Sequence, residues 1–170
     1  RYFLGCLFCY VLALGHAWLP DDPSFNVRGR PRIVKDAAAL QRVVDIVPSA
    51  SNWITFCPGS LATNRHNDVM DIAQKLWPHF VFCHFRNIRF LAEETFDGEW
   101  AFLETYHEDE KGVVPIPALM KLLYAKGCEA PYRADHAPGM YGHDANFGYG
   151  LVARAQGLSY LQGILRGLQA

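Results

Sequence analysis

The sequence predicts an α/β fold, a TIM-type (β/α)8 barrel of which this chain carries only about the last four βα units. Short apolar runs alternate with segments of helical periodicity, and this alternation is typical of a parallel sheet with crossover helices. Three of the runs also end on a residue that can bind a metal, namely Cys57, His84 and Asp135. Because the active site of such a barrel lies at the carboxyl ends of its strands, the pattern predicts a metal-dependent enzyme.

The composition is that of a globular protein. The chain has 170 residues, of which 51% are hydrophobic and 19% are charged, and its formal net charge is −1. This length is sufficient for one domain with its own core. Without a basic stripe that could attract phosphates, nucleic acid is not an expected partner. The five cysteines lack the spacing of a disulfide framework, so we expect reduced thiols and a cytoplasmic protein.

The first segment, residues 2–19, is almost wholly apolar, which is also typical of a signal peptide or a membrane span. We favour a buried strand and no membrane partner, because His16 interrupts the run and Pro20-Asp21-Asp22-Pro23 ends it sharply. The chain begins at Arg1 and not at a methionine. We therefore expect residues 1–170 to be part of a longer, single barrel domain.

Four apolar runs predict the strands of the parallel sheet. Each run is short, rich in aromatic or β-branched residues and bounded by turn residues. The runs are residues 11–14, 53–56, 80–84 and 132–135. A turn at Pro58-Gly59-Ser60 follows the second run, and an extended piece at 102–107, after the Asp97-Gly98 turn, predicts an added hairpin.

Helical periodicity and end signals predict a helix after each of these strands. The helices cover residues 37 to about 46, 67–76, 115–126 and about 150–168. Asp36 is a suitable cap for the first helix, and Pro78 stops the second. The third helix has a proline at its start and Gly127 just past its end, the usual asymmetry.

Four βα units are half of a closed barrel. An open half would leave two strand edges unpaired and part of the core uncovered. Either the other half of the barrel is absent from this chain, or the half associates with another molecule. A homo-oligomer is one such association.

The three residues at the strand ends differ in chemistry but share a position. Thiolate, imidazole and carboxylate together suit Mn²⁺, Fe²⁺ or Zn²⁺ better than Mg²⁺. Each residue alone has a structural interpretation, since a strand cysteine is usually a small core residue and Asp135 can cap the loop that follows it. Their occurrence at equivalent positions favours a metal site formed by Cys57, His84 and Asp135.

Arg86 and Asn87 come directly after His84, so they are also expected at the barrel mouth. An arginine there can bind a substrate carboxylate with two parallel hydrogen bonds. The alternative for Arg86 is a surface ion pair with one of the acidic residues in 93–110.

Two further residues are candidates for proton transfer. His136 lies next to Asp135, and Tyr149 follows a loop rich in glycine and histidine. A tyrosine that precedes a helix has packing as its alternative role.

Several longer motifs resemble mannonate dehydratases. They are Phe56-Cys57-Pro58-Gly59-Ser60-Leu61, His84-Phe85-Arg86-Asn87, Arg133-Ala134-Asp135-His136, Gly148-Tyr149-Gly150, Pro20-Asp21-Asp22-Pro23, Gly29-Arg30-Pro31-Arg32-Ile33-Val34 and Ala155-Gln156-Gly157-Leu158-Ser159-Tyr160-Leu161-Gln162-Gly163. The resemblance covers nearly the whole chain after about residue 11. It corresponds to the carboxyl-terminal half of that family, whose members are complete metal-dependent barrels.

The resemblance implies a function and a cofactor. The family dehydrates D-mannonate to 2-keto-3-deoxy-D-gluconate and water in hexuronate (glucuronate) catabolism, and uses Mn²⁺ or Fe²⁺. By matching position, Cys57, His84 and Asp135 are expected as metal ligands, and His136 and Tyr149 as acid/base residues. This role fits the chemistry, because a divalent cation stabilises the charge created when a proton leaves the carbon next to a carboxylate.

The sequence departs from the family at one ligand position. The family has a further ligand histidine directly before Pro-Asp-Asp-Pro, where this chain has Leu19. The nearest histidine is His16, and an extended residue spans about 3.3 Å, so the imidazole is displaced by several residues of chain. A bulge in the loop would bring His16 to the site; without it the fourth ligand is lost.

Three hypotheses for function follow. The first is a carbon–oxygen lyase (a hydro-lyase) of the mannonate dehydratase type that acts on an acid sugar. The second is a metal-dependent sugar isomerase or epimerase on the same barrel, since fold alone does not separate these reactions. The third is a catalytically inactive half-barrel that acts only in assembly, which the displaced ligand favours.

Overall fold

The computed structural model describes residues 15–96, 98–140 and 150–170, and within these ranges it contains six strands and five α-helices. The strands are His16–Trp18 (β1), Asn52–Phe56 (β2), Phe80–Phe85 (β3), Asn87–Phe96 (β4), Glu99–Thr105 (β5) and Tyr132–Ala134 (β6). The helices are Ala37–Ile46 (α1), Pro58–Ala62 (α2), Val69–Leu76 (α3), Ile116–Ala125 (α4) and Leu151–Gln169 (α5).

The main sheet is parallel and has the strand order β1-β2-β3-β6. A helix follows each strand of this sheet, as the alternating pattern in the sequence predicts. The register aligns Phe56 of β2 with Cys83 of β3, and Cys83 with Tyr132 of β6. Cys57 comes directly after Phe56 and His84 directly after Cys83, and Asp135 follows the end of β6, where its backbone N–H donates to the carbonyl of Phe85. The three residues therefore lie near one edge of the sheet.

The helix ends confirm the local signals read from the sequence. Asp36 caps α1 by accepting a hydrogen bond from the backbone N–H of Ala39 at 2.8 Å. Asp68 caps α3 in the same way through two backbone N–H groups. Pro78 lies in a single 3-10 turn, Trp77–His79, which ends α3 and leads into β3.

The hydrophobic core lies between the helices and the parallel sheet. Its fully buried members come from both layers: Leu40, Ile54, Phe56, Leu61, Ile72, Leu76, Leu119 and Leu161. The rings of Phe56 and Phe80 stack with their centroids 4.4 Å apart, which ties β2 to the start of β3. The pattern of apolar residues along these elements thus determines which face of each strand packs against the core.

Strands β4 and β5 form an antiparallel hairpin between β3 and α4. The sequence predicts this hairpin at the Asp97-Gly98 turn and the extended piece after it, but gives no separate signal for the long strand β4. Gly98 has a positive φ of 81°, which suits a glycine in a tight turn. The hairpin brings residues of β5 to the carboxyl edge of the parallel sheet.

One local prediction differs from the structure, and another lies outside the described residues. Pro58-Gly59-Ser60 is not an open turn, because it forms the first turn of the short helix α2 with proline at its start. The predicted strand at residues 11–14 lies outside the described residues, and the first described strand is β1 at His16–Trp18. Across the described ranges, the helices are all too short or too polar to cross a membrane.

Candidate metal centre

The carboxyl ends of β2, β3 and β6 bring Cys57, His84 and Asp135 together. Each side chain offers one ligand atom, and these atoms all lie within 4.8 Å of one another. His84 Nδ1 is 3.8 Å and Cys57 Sγ is 3.9 Å from the same oxygen, Oδ2 of Asp135. The strand register therefore produces the cluster that the sequence predicts, and Asp135 Oδ2 is the atom common to both contacts.

The separations between these donor atoms fit a bound divalent ion. Metal bonds of about 2.3 Å to sulfur and about 2.1 Å to oxygen place the two donors about 3.6 Å apart at a tetrahedral angle. The observed sulfur–oxygen distance of 3.9 Å is close to that value. The mixture of one sulfur, one nitrogen and one oxygen donor suits a transition ion better than Mg²⁺.

Burial sets the protonation of the two softer donors. Burial lowers the pKa of His84 to about 4, so that its imidazole is neutral and able to ligate at neutral pH. Burial also raises the pKa of the Cys57 thiol to about 11, and the neighbouring Arg86 and a hydrogen bond from Ser60 only partly oppose this. A metal that binds here must therefore displace the thiol proton.

The neighbours of the cluster orient two of its donors. Ser60 Oγ, on α2, lies 3.0 Å from Cys57 Sγ. Arg133 Nη2 donates to Asp135 Oδ1 at 2.6 Å, which leaves Oδ2 facing the other two donors. Such supporting contacts hold metal ligands in place. The sequence signal for Arg133 is its position two residues before Asp135, since alternate strand residues share a face.

Arg86 lies at the end of β3 beside the cluster, where its guanidinium pairs with carboxylates of the chain itself. Its side chain is only 1% exposed, and its guanidinium pairs with both carboxylate oxygens of Asp22, at 2.5 and 3.1 Å. Its Nη2 also lies 3.3 Å from Oε1 of Glu104. The pair with Glu104 agrees with the alternative interpretation of an ion pair with an acidic residue in 93–110, but the pair is buried and also includes Asp22. The predicted contact of Arg86 with a substrate stays a prediction.

The side chain of Asn87 forms hydrogen bonds with backbone groups around the hairpin. Its Oδ1 accepts hydrogen bonds from the N–H groups of Ile88 and Val114, both at 3.0 Å, and its Nδ2 donates to the carbonyl of Asp109 at 3.3 Å. The residue is buried. This arrangement supports a structural role, and the predicted contact of Asn87 with a substrate stays a prediction.

His136 lies beside the cluster and joins the ion pair described above. Its Nδ1 is 3.3 Å from Arg86 Nη1 and 3.3 Å from Glu104 Oε1. The sequence alone assigns no role to either carboxylate: Glu104 belongs to a segment rich in acidic residues, and Asp22 lies in the Pro20-Asp21-Asp22-Pro23 motif without a signal for its partner. The second predicted acid/base residue, Tyr149, lies outside the described residues.

His16 does not join the cluster. The register pairs it with Asn52, five residues before Cys57, so it lies about 16 Å from the level of the ligands along the strand direction. Its exposed ring packs edge-on against Trp18, with the centroids 4.6 Å apart. The expectation that a loop bulge brings His16 to the site is thus not met, because His16 opens β1 and does not follow it.

Fold and site together define a (β/α)-barrel-type protein with a candidate transition-metal centre at the carboxyl ends of its strands. The model of the family described as D-mannonate dehydratase (UxuA) matches residues 8–170. The chain belongs to this family.

Most of this chain is similar in sequence to curated mannonate dehydratases. It is 38% identical to the mannonate dehydratase of Enterococcus faecalis over 151 residues, which are 89% of this chain and 41% of that protein. It is 37% identical to the mannonate dehydratase of Brachyspira hyodysenteriae over 171 residues, 99% of this chain and 46% of that protein. The chain thus spans about half the length of the curated relatives that it matches.

Solved structures confirm the predicted barrel type. The crystal structure of mannonate dehydratase from Streptococcus suis serotype 2 is 32% identical, has a TM-score of 0.80, and is matched over 91% of this chain and 43% of that one. A xylose isomerase-like TIM barrel protein from Mycobacterium smegmatis is 18% identical with a TM-score of 0.61, over 81% of this chain and 42% of that one. At that identity the second likeness shows the fold alone.

Proposed function

We propose that the protein to which this chain belongs is a hydro-lyase that converts D-mannonate to 2-keto-3-deoxy-D-gluconate and water. The observation that carries the proposal is the convergence of Cys57, His84 and Asp135 on one point, with His136 directly beside it. Membership of the D-mannonate dehydratase family supports the same substrate. In this role the protein takes part in hexuronate (glucuronate) catabolism.

The cofactor that we propose is Mn²⁺ or Fe²⁺, held by Cys57, His84 and Asp135. When bound, the ion stabilises the negative charge that develops next to the substrate carboxylate. The neutral imidazole of His84 and the Asp135 oxygen turned toward the cluster by Arg133 are ready to ligate without rearrangement.

We assign the proton transfers of the reaction to side chains beside the proposed ligands. Dehydration removes a proton from the carbon next to the carboxylate and a hydroxyl group from the following carbon, which leaves as water after it gains a proton. The enol that remains becomes the keto acid when the carbon that lost its hydroxyl group gains a proton and the enol O–H loses one. We propose His136 and Tyr149 as the residues that take up and deliver these protons.

The cytoplasm is the compartment that we propose. The three cysteines in the described ranges, Cys57, Cys83 and Cys128, are free thiols, and a candidate ligand among them requires a reduced state.

Activity and metal content of the purified protein test the proposal together. The protein is stripped with a chelator, reconstituted with Mn²⁺ or with Fe²⁺ under anaerobic conditions, and incubated with D-mannonate. We expect about one ion per chain and formation of the 2-keto-3-deoxy acid. Asp135→Asn should abolish both, whereas Asp45→Asn on the exposed face of α1 should change neither.

Other results would favour the other hypotheses. An isomerised or epimerised sugar in place of the keto-deoxy acid would indicate the isomerase class. Protein that stays metal-free and inactive after reconstitution would indicate an inert barrel piece.

A further inference from the structure

Four side chains from four separate segments meet beside the candidate metal centre. They are Asp22 from the loop after β1, Arg86 from the end of β3, Glu104 from β5 and His136 from the end of β6. Glu104 Oε1 is in contact with both of its neighbours, at 3.3 Å from Arg86 Nη2 and 3.3 Å from His136 Nδ1. The hairpin thus contributes a carboxylate to a site that is otherwise built by the parallel sheet.

The two contacts of His136 Nδ1 require opposite protonation states of that nitrogen. Arg86 can only donate a hydrogen bond, so its contact requires a lone pair on Nδ1. Glu104 as a carboxylate can only accept, so its contact requires a proton on Nδ1. A neutral imidazole satisfies only one of them at a time, and the choice fixes which nitrogen carries the lone pair.

The charges favour the contact with Glu104. Arg86 already donates to both oxygens of Asp22, at 2.5 and 3.1 Å, so its positive charge is largely matched there. Two carboxylates, Asp22 and Glu104, share this single guanidinium, which leaves Glu104 with unmatched negative charge. Its other oxygen, Oε2, is buried and has no hydrogen-bond partner within the described part of the chain. A hydrogen bond from the N–H of His136 stabilises that negative charge, and charge-assisted hydrogen bonds of this kind are stronger than those between neutral groups.

We propose that Glu104 is a positioning residue that holds His136 in the tautomer with the proton on Nδ1 and the lone pair on Nε2. In this tautomer Nε2 is the nitrogen that can accept a proton, as a general base requires. The catalytic part of the inference rests on the role proposed for His136 in dehydration. The tautomer itself does not depend on that role.

The tautomer is measured directly by long-range ¹H–¹⁵N NMR of the ¹⁵N-histidine-labelled protein, at a pH where the ring is neutral. The signals of His136 are assigned with His136→Gln. We expect the proton on Nδ1 in the unmodified protein. In Glu104→Ala it should move to Nε2, because the contact of Nδ1 with Arg86, which can only donate, then favours a lone pair on Nδ1. Glu104→Gln keeps an acceptor oxygen and should keep the original tautomer.

Steady-state kinetics provide the second readout. Glu104→Ala should lower kcat at least about tenfold, with KM and the Mn²⁺ affinity within about twofold of the unmodified protein. Glu104→Gln should recover most of kcat. Glu99→Ala, at the other end of the same strand, is the matched control and should change neither the tautomer nor kcat.

The outcomes separate the two proposals. A proton on Nε2 in the unmodified protein, or a tautomer that is unchanged in Glu104→Ala, would overturn the role of Glu104. Absence of dehydration by the unmodified, metal-loaded protein would overturn the proposed function but leave the tautomer measurement valid. If Glu104→Ala does not fold, the unmodified protein alone still decides the tautomer.

Discussion

A Cβ atom on Gly59 would lie only 2.0 Å from Cγ of Arg86 and 2.9 Å from its Cδ and Nε. The first turn of α2 therefore packs directly on the stem of the buried arginine, and this approach is possible only for glycine. Asp22 holds the guanidinium at the far end of the same side chain, which restricts the movement of the arginine. The helix that follows Cys57 therefore packs against the same arginine that forms the ion pair beside His136.

Substitution of Gly59 by alanine should destabilise the protein. The added methyl group forces Arg86 or the start of α2 to shift, and overpacking of this kind costs about 1–3 kcal/mol. Urea unfolding followed by circular dichroism measures the change. The control is Gly15→Ala, whose Cβ would meet its nearest neighbour at an ordinary 3.7 Å and should leave the free energy of unfolding nearly unchanged. Equal midpoints for the two variants would contradict the close approach.

Two glycines of α5 should respond to alanine with opposite signs. A Cβ on Gly157 would lie 2.3 Å from Nδ1 of the buried His107, so Gly157→Ala should lower stability despite its better helix propensity. A Cβ on Gly163 meets nothing within 4 Å, so Gly163→Ala should raise stability by about 0.5–1 kcal/mol. Thermal unfolding of both variants provides the comparison. A stabilising Gly157→Ala would show that His107 does not pack there.

Metal affinity should distinguish the two candidate histidines. His84→Gln removes a donor from the cluster and should weaken Mn²⁺ binding at least about tenfold, whereas His16→Gln should leave it unchanged. Competition with a fluorescent chelator measures both dissociation constants. An equal loss in the two variants would mean that His16 ligates and that the register of β1 differs from the one described.

The stability of the metal-free protein should fall as the pH is lowered from about 6.5 to about 4. Burial lowers the pKa of His84 from its ordinary 6.5 to about 4 in the folded protein. Between these pH values the His84 imidazole is protonated in the unfolded chain but mostly neutral in the folded protein, so acidification favours unfolding. The pKa of the buried His107 is lowered for the same reason and adds to the trend.

Urea titrations at several pH values test this dependence. His84→Gln has no such titration and should show a shallower loss of stability over the same window. An identical pH profile for both proteins would show that the burial of His84 does not control its protonation.

The sequence predicts the features that depend on neighbours along the chain. Asp36 before an apolar helical stretch is enough to place the start of α1, because a cap acts within one turn. Cys57 and His84 at the ends of apolar runs are enough to predict a cluster, because parallel strands place their carboxyl ends at one edge. The family resemblance, and with it the barrel type, likewise follows from ordered motifs.

The contacts between distant segments were decided only by the tertiary structure. The sequence left open whether Arg86 binds a substrate or an acidic residue in 93–110, and the fold buries it between Asp22 and Glu104, which are 64 and 18 residues away along the chain. It left His16 as a candidate ligand, whereas the register of β1 places it at the start of its strand, away from the cluster. Caps and strand ends are local properties, but register, burial and the pairing of charges depend on how strands and loops are brought together. For that reason the cluster of Cys57, His84 and Asp135 was predictable from the sequence, and the contact of Glu104 with His136 was not.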